Sequence, residues 1–144
     1  MSKLELIRLG LTNLHPQAFL GLGSLRYLDL SANNLTTLPD ELFQWLGSIS
    51  DINLAQNWLS DAVHVSYIMS ALAQVKNIDL AVNHLDGIPD LSNSGILETL
   101  DLSYNQITNL PGADLGGPLR GLDRLTSLKL NNNQIDWVDG NFFK

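Results

Sequence analysis

The chain has 144 residues, 44% of them hydrophobic, and carries 8 basic against 15 acidic residues, a net charge of −7 at pH 7. This length predicts a single domain, 1–144. The acidic balance disfavours nucleic acid, whose phosphates select basic surfaces, and direct membrane contact through a basic patch. Without cysteine the chain has no disulfides, thiolate metal sites or cysteine nucleophiles, and its compartment stays open.

The first segment, "MSKLELIRLG", does not resemble a signal peptide, because polar residues interrupt it and no small-residue cleavage site follows. Further along, no apolar run is long enough to span a bilayer. We therefore expect a domain that works away from the bilayer itself.

One pattern, L-x-x-L-x-L-x-x-N-x-L with other aliphatic residues in some apolar positions, recurs along the whole chain. It fits at starts near residues 4, 25, 49, 75, 97 and 125, most clearly in "LRYLDLSANNL" and "LETLDLSYNQI". Before five of the six starts lie two further anchor positions at three-residue spacing, such as Phe19 and Leu22 before Leu25. From each first anchor to the last apolar position of the next pattern is always 16 residues. A constant frame with one variable segment per turn is typical of a solenoid.

These repeats resemble the leucine-rich-repeat family, and the resemblance covers essentially the whole chain. Repeat 2, "LRYLDLSANNLTTLPDELFQWLGS", is similar to the 24-residue "typical" class of animal extracellular receptors and matrix proteins. The resemblance implies an α/β solenoid, a curved stack of six turns. Its concave face would be a parallel β-sheet, and its convex face would consist of short helices, 3-10 turns and loops.

The residue types support short strands, each closed by an asparagine. In "LDL", alternation with period 2 points Leu28 and Leu30 inward and Tyr27 and Asp29 outward. Where the strand ends, buried backbone groups still need partners, and an amide can both donate and accept. Stacked asparagines can therefore bond neighbouring turns, and we place Thr12 in this slot of repeat 1. The predicted ladder comprises Asn33, Asn57, Asn83, Asn105 and Asn133.

The variable segments are expected on the convex side. Pro16 suits a first helical turn. Residues 61–73 predict a helix with Ser60 as the N-cap, because apolar residues recur there at helical spacing. Residues 108–121 contain two prolines and four glycines, so we expect a projecting loop.

Both ends interrupt the repeat pattern. The chain opens at a strand, and Phe143 takes an anchor position without the apolar residue expected three places later. Such a stack exposes core leucines, whereas solenoids normally carry polar caps. We expect either a fragment cut from a longer array or ends covered by end-to-end self-association.

No motif for catalysis or phosphate binding occurs. The three histidines, His15, His64 and His84, fall on different parts of the coil and predict surface positions. Asp79 and Asp101 occupy neighbouring strands, but acid–base catalysis would require a pocket and separated pKa values, which we do not expect of a strand face. Calcium would need six or more oxygen ligands. We therefore expect no enzyme activity, no metal and no cofactor.

The outward strand positions form a face roughly 25 Å across, since strands lie about 4.8 Å apart. Such a face suits a helix or loop of a partner. In our alignment its middle column is acidic at the centre with a base at each end. That column runs Arg8, Asp29, Asn53, Asp79, Asp101, Lys129. Because "LDLS" is also the commonest strand of the family, the acidic strip is either the selected surface or a consequence of the repeat.

Trp58 follows a ladder asparagine in a column of polar residues, so we expect it to be exposed. It is either a binding anchor or packed on a neighbouring loop. Asn34 begins the triplet Asn-Leu-Thr, an acceptor for N-glycosylation if the parent is secreted. The predicted partner-binding residues are Tyr27, Asp29, Asp51, Asn53, Trp58, Asp79, Asp101 and Tyr104.

We therefore expect a protein–protein interaction module that binds a protein with a basic surface on its concave face. The repeat class suggests that the parent is an extracellular or membrane-anchored receptor, adhesion or matrix protein. One alternative is a cytoplasmic regulatory or scaffold subunit, which the missing cysteines and signal suit. Another is the substrate-recruiting arm of a larger enzyme, with the chemistry outside these residues.

Overall fold

A computed structural model describes residues 1–112, 114 and 116–143. Its main sheet has six parallel strands in the order β1-β2-β3-β4-β5-β7. The strands are β1 (Lys3–Glu5), β2 (Tyr27–Asp29), β3 (Asp51–Asn53), β4 (Asn77–Asp79), β5 (Thr99–Asp101) and β7 (Ser127–Lys129). One helix, α1 (Ala62–Met69), and a second small parallel sheet, β6 (Asn109–Leu110) with β8 (Trp137–Val138), complete the regular elements of the described part. The expected solenoid is confirmed.

Inward strand residues build one continuous core along the stack. The central residue of each interior strand, such as Leu28, Ile52 and Leu100, is at most 2% exposed. Burying side chains of this size is the main stabilising contribution of each turn, about 1.5–3 kcal/mol apiece. No helix among the described residues is long and apolar enough to cross a membrane.

The three-residue spacing of the anchors has a direct structural cause. Leu22 N donates to the carbonyl of Phe19 (3.1 Å), and Leu25 N donates to that of Leu22 (3.0 Å). Each such turn closes after three residues, so successive anchors point to the same side, into the core. The same bond joins Leu72 to Met69 at 2.9 Å.

The first repeat is in a different register from the one we expected. Leu4 pairs with Leu28, so the repeat starts at Met1 rather than near residue 4. Leu9, not Thr12, occupies the ladder slot. The outward middle position is Glu5, not Arg8, so the expected base at that end of the face is wrong. Apolar residues recur at offsets that satisfy both registers, so the apolar pattern alone does not distinguish them.

The residue before each ladder position adopts a left-handed backbone conformation, which turns the chain out of the strand. None of the six is glycine, although this conformation costs roughly 1–2 kcal/mol for an L-residue. Val82 is the least expected of them, because it is β-branched. The set is Arg8, Ala32, Gln56, Val82, Tyr104 and Asn132, all with φ between 53° and 58°.

Helix α1 begins later and ends earlier than the expected span of 61–73. Its N-cap is Asp61, not Ser60, since the Asp61 carboxylate accepts from the N–H groups of Val63 (3.0 Å) and His64 (3.1 Å). The aspartate satisfies two first-turn amides that have no partner within the helix. Its negative charge also interacts favourably with the positive N-terminal end of the helix dipole. The helix ends at Met69, because the three-residue anchor turn begins there. Pro16 begins a run of turns rather than a helix.

The segment 108–121 does not project along its whole length. Asn109–Leu110 forms β6, and Leu91 N donates to the carbonyl of Pro118 at 3.2 Å. Gly112 lies against the Asp139 carboxylate with no room for a Cβ atom. Residues 113 and 115 of the predicted loop, and residue 144, lie outside the described residues. Both flanks of the segment thus pack against the body.

Candidate binding face

The concave sheet encloses a hollow of about 380 Å³ across strands β2 to β7. This corrects our expectation that the strand face would offer no pocket. The volume accommodates one long side chain of a partner. The polar side chains that line the hollow belong to Tyr27, Asp51, Asn53, Asn77, Asp79, Thr99, Asp101, Ser127 and Lys129.

Asp29 is a predicted binding residue that does not line the hollow. It is only 5% exposed, and its oxygens accept from Ser31 N (2.8 Å), the Tyr27 hydroxyl (3.1 Å) and the Asn53 amide (3.3 Å). This buried carboxylate accepts hydrogen bonds from two residues of its own turn and one of the next, so it links the two turns. The hollow therefore contains three carboxylates, not the four we expected along the strip.

A chain of hydrogen bonds orders one side of the hollow. The Thr99 hydroxyl donates to the side-chain oxygen of Asn77 (2.6 Å), and the Asn77 amide donates to the Asp51 carboxylate (2.6 Å). These short bonds cross three strands and hold Asp51 as an acceptor. Neither Asn77 nor Thr99 was among the predicted binding residues, and only the geometry shows that they connect to Asp51.

Asp79 and Asp101 stand in register on β4 and β5. Desolvation by burial is the main cause that raises the pKa of Asp79, and the charge of Asp101 raises it further. The N–H of Ala81, which donates to Asp79 Oδ1 at 2.9 Å, partly opposes this shift. Lys129 Nζ lies 3.6 Å from Asp101 Oδ2. Burial and the neighbouring Asp101 charge thus both disfavour the ionised form of Asp79.

The Asp101 carboxylate is held by Ser103, which lies two residues further along the chain. Asp101 Oδ1 accepts from both the N–H (2.9 Å) and the hydroxyl (2.6 Å) of Ser103. A pair of carboxylates in a hollow could suggest acid–base chemistry. Here, however, Asp101 is already paired with Lys129 (3.6 Å) and bonded to Ser103, so neither the structure nor the charges assign it a proton-transfer role.

Three exposed apolar side chains, which we call the rim, lie in the turns that come after the strands: Trp58, Val82 and Tyr104. Trp58 is 52% exposed, as expected, and its ring meets the His84 ring edge-on at a centroid distance of 4.8 Å. Tyr104 and Val82 are also exposed, both at left-handed backbone positions. Trp58 and Tyr104 were predicted as binding residues; they belong to this rim, not to the hollow.

The five ladder asparagines form the hydrogen bonds that hold successive turns together. Asn83 is 4% exposed. Its amide donates to the carbonyls of Leu54 (3.0 Å) and Leu80 (3.1 Å), and its oxygen accepts from Leu59 N (3.0 Å). Each ladder amide therefore bonds its own turn and the preceding one.

The histidines lie apart, at the surface, as the sequence predicts. His15 Nδ1 accepts from Gln17 N at 3.1 Å. On the convex side His64 bridges Asp40 (2.9 Å) and Thr37 (3.1 Å), which ties α1 to the preceding turn. Within the described ranges, no three histidine or carboxylate side chains are grouped as metal ligands.

Two family models match the sequence of these repeats. One, described as Leucine rich repeat, matches residues 1–59, and another, described as Leucine Rich repeats (2 copies), matches residues 97–140. The chain is a leucine-rich-repeat protein. Repeats of this family and fold are typically interaction modules rather than enzymes.

Known leucine-rich-repeat proteins of the receptor and matrix type are similar to the chain. Human podocan-like protein 1 is 32% identical over 111 residues, which are 77% of this chain and 21% of that protein. A TLR13–ssRNA13 complex contains a similar chain, with a TM-score of 0.88 and 28% identity over 99% of this chain and 20% of that one. The Drosophila Toll–Spatzle complex contains another, with a TM-score of 0.78 and 28% identity over 90% of this chain and 18% of that one.

The chain spans about a fifth of the length of these relatives. One of the two similar complexes contains RNA and the other a protein. The relatives thus fit an interaction module, and they do not support our exclusion of nucleic acid.

Proposed function

We propose that the chain is a protein-interaction module that binds a basic segment of a partner in the concave hollow. The observation that carries this proposal is the clustering of Asp51, Asp79 and Asp101 in a 380 Å³ depression of a chain with net charge −7. A lysine or arginine side chain would enter the hollow and offset the repulsion between Asp79 and Asp101.

The rim adds an apolar contact beside this charged site. Trp58, Val82 and Tyr104 lie in the turns that leave the strands, each at least 44% exposed. Aromatic side chains are frequent binding anchors, and charges next to them set orientation and association rate. The preferred partner segment therefore combines a basic residue with apolar neighbours.

The similarity to podocan-like protein 1 and to Toll favours a receptor or matrix parent over a cytoplasmic scaffold or a substrate-recruiting arm. In such a parent Asn34 would carry N-linked glycan. Asn34 and Thr36 are both exposed, and the Asn34 backbone is fixed by its N–H bond to the Leu11 carbonyl (2.8 Å). Asn34 occupies the place of Trp58 one turn earlier, so a glycan there would stand beside the apolar rim.

Selection from a randomised peptide library tests the proposal without a known partner. Peptides selected on the wild-type chain should be enriched in lysine or arginine and lose affinity for the Asp79→Asn/Asp101→Asn variant. Loss of two charges should also make binding less sensitive to salt, which screens charges beyond about 8 Å at physiological ionic strength.

The matched control is Glu41→Gln/Asp136→Asn, which removes the same charge from exposed positions outside the hollow. Asp40 would be a poor control, since its carboxylate bonds His64. Equal losses in both variants would show that only net charge is sensed, and would refute the hollow as the site. Single-stranded RNA should not compete with the peptides; competition would favour nucleic acid as the ligand.

A further inference from the structure

Asn34, Trp58 and His84 occupy the same place in three consecutive turns. Trp58 N donates to the carbonyl of Leu35, the residue after Asn34, at 2.9 Å. In the same way His84 N donates to the carbonyl of Leu59, the residue after Trp58, at 2.8 Å. Repeated bonds of this kind hold neighbouring turns at the spacing of paired strands, about 4.8 Å. The side chains of the three residues therefore stand in one row.

Within this row the Trp58 ring has a ring partner in one direction. It meets the His84 ring edge-on, with centroids 4.8 Å apart, so neighbours in the row do touch. In the other direction stands Asn34, whose side chain is too short to cover an indole, and Trp58 remains 52% exposed. An indole is a large, mainly apolar surface, and its exposure to water is unfavourable. A larger group on Asn34 would cover it.

The sequence supplies such a group. Asn34, Leu35 and Thr36 form the only N-glycosylation triplet in the chain. The neighbouring Asn33 is buried and bonds the Leu6 carbonyl as part of the ladder, whereas Asn34 and Thr36 are exposed. A sugar on the Asn34 side-chain nitrogen would therefore start one turn away from the indole.

We propose that the first sugar of an N-linked glycan on Asn34 packs on Trp58 and shields that end of the rim. The inference rests on the receptor or matrix parent proposed above, because only a chain that enters the secretory pathway meets the donor, a lipid diphosphate oligosaccharide. The Asn34 side-chain nitrogen forms a bond to the anomeric carbon of the first sugar and loses one proton. The bond from that carbon to the diphosphate oxygen breaks, and the lipid diphosphate leaves. The apolar C–H face of the sugar then lies on the indole.

This packing divides the rim into a shielded part and an open part. The glycan covers Trp58, while Val82 and Tyr104, 44% and 54% exposed, stay accessible one and two turns further along the stack. Apolar residues of a partner then contact Val82 and Tyr104 in the glycosylated chain, and contact Trp58 as well in a chain without glycan. Glycosylation of Asn34 thus determines which part of the rim a partner can use.

Secretion of the complete chain from animal cells, behind an added signal peptide, tests the modification and the contact. Mass spectrometry before and after enzymatic removal of N-glycans should show one glycan, which is absent from Thr36→Ala. Hydroxyl-radical labelling, resolved by residue, should then modify Trp58 severalfold less in the glycosylated chain than in Thr36→Ala. Trp137 is the matched internal control, because it is 49% exposed and lies outside the row. Its labelling should be the same in both proteins.

Nuclear magnetic resonance tests the contact itself. The ring current of Trp58 should move the N-acetyl methyl signal of the first sugar upfield, and Trp58→Leu should abolish this shift while the glycan stays attached. An unmodified Asn34 would overturn the proposal, and so would a glycan that leaves both the labelling of Trp58 and the methyl signal unaffected. Peptide binding in the hollow is measured on the unglycosylated chain, so these outcomes do not decide the proposed function.

Discussion

Interior turns and the first turn share one backbone path but differ in the side-chain hydrogen bonds made at the ladder position. Asn83 in an interior turn bonds two turns and is buried, whereas Leu9 occupies the same slot and is 59% exposed. Each interior ladder amide bonds both its own turn and the preceding one, whereas a leucine side chain in the same slot can bond neither. The comparison teaches that the asparagine, rather than the backbone path, supplies the side-chain hydrogen bonds between turns.

The largest expected effect is at the interior ladder. Asn83→Asp should lower the free energy of unfolding by about 1–3 kcal/mol, because an ionised carboxylate cannot donate to the Leu54 and Leu80 carbonyls. Chemical denaturation measures the loss. The control is Asn34→Asp, an exposed asparagine one place beyond the ladder in turn 2, expected to change stability by less than about 0.5 kcal/mol. Equal effects at both positions would contradict the ladder.

A smaller effect is expected at the end of the ladder. Asn133 makes the same kind of bonds, to Leu102 (2.9 Å) and Leu130 (3.0 Å), but is only partly buried. Asn133→Asp should therefore cost about 1 kcal/mol, less than Asn83→Asp in the same denaturation series. A larger loss at the end than in the interior would reverse the comparison.

A substitution at Val82, which has a left-handed backbone conformation in an interior turn, should stabilise the fold. Val82→Asn should raise the free energy of unfolding by about 1 kcal/mol, since a β-branched residue is strained at φ 56° and asparagine tolerates it. Asn132 already occupies the equivalent place in the last turn with φ 58°. Val63→Asn, on exposed helix α1, is the control and should not stabilise. No gain at Val82 would mean that its conformation is unstrained.

The smallest expected effect concerns charge in the hollow. Asp79→Asn should stabilise the chain by less than about 1 kcal/mol at neutral pH, because it removes the desolvation cost of a partly buried charge and, secondarily, the like-charge repulsion across the strand pair. Since the pKa of Asp79 is raised in the fold, the folded state holds its proton more tightly, and wild-type stability falls as pH rises through that pKa. The difference between variant and wild type should vanish below the ordinary pKa of 3.8. A difference that persists there would show that charge is not its cause.

The sequence predicts repeated units better than single positions. Anchor spacing and period-2 alternation predicted the strands, the core and the ladder from Asn33 onward, because each rule is repeated in several turns. The predicted register of the first turn was wrong. Leu9 is not the asparagine that marks the ladder slot in the other turns, and the spacing of the leucines there fits two registers. The burial of Asp29 could not be predicted for another reason: its outward place in the strand does not reveal that Tyr27 and Asn53 bond to it.

The hollow itself could not be predicted from the sequence. An alignment of the repeats gives the column of each residue but not the distances between side chains on neighbouring strands, so it could not show a depression. The alignment placed Asp51, Asp79 and Asp101 in the outward columns, but it could not show how the bonded chain of Thr99, Asn77 and Asp51 orders one wall.

Amide chemical-shift mapping with a lysine- or arginine-containing peptide selected on the wild-type chain tests the concave site most directly. The account predicts the largest shifts at the hollow, in Asn77, Asp79, Thr99 and Asp101, with smaller ones along the rim at Trp58. The same peptide should produce little change in the Asp79→Asn/Asp101→Asn variant. Shifts concentrated on α1 or on the ends of the stack, with the hollow unaffected, would contradict the account.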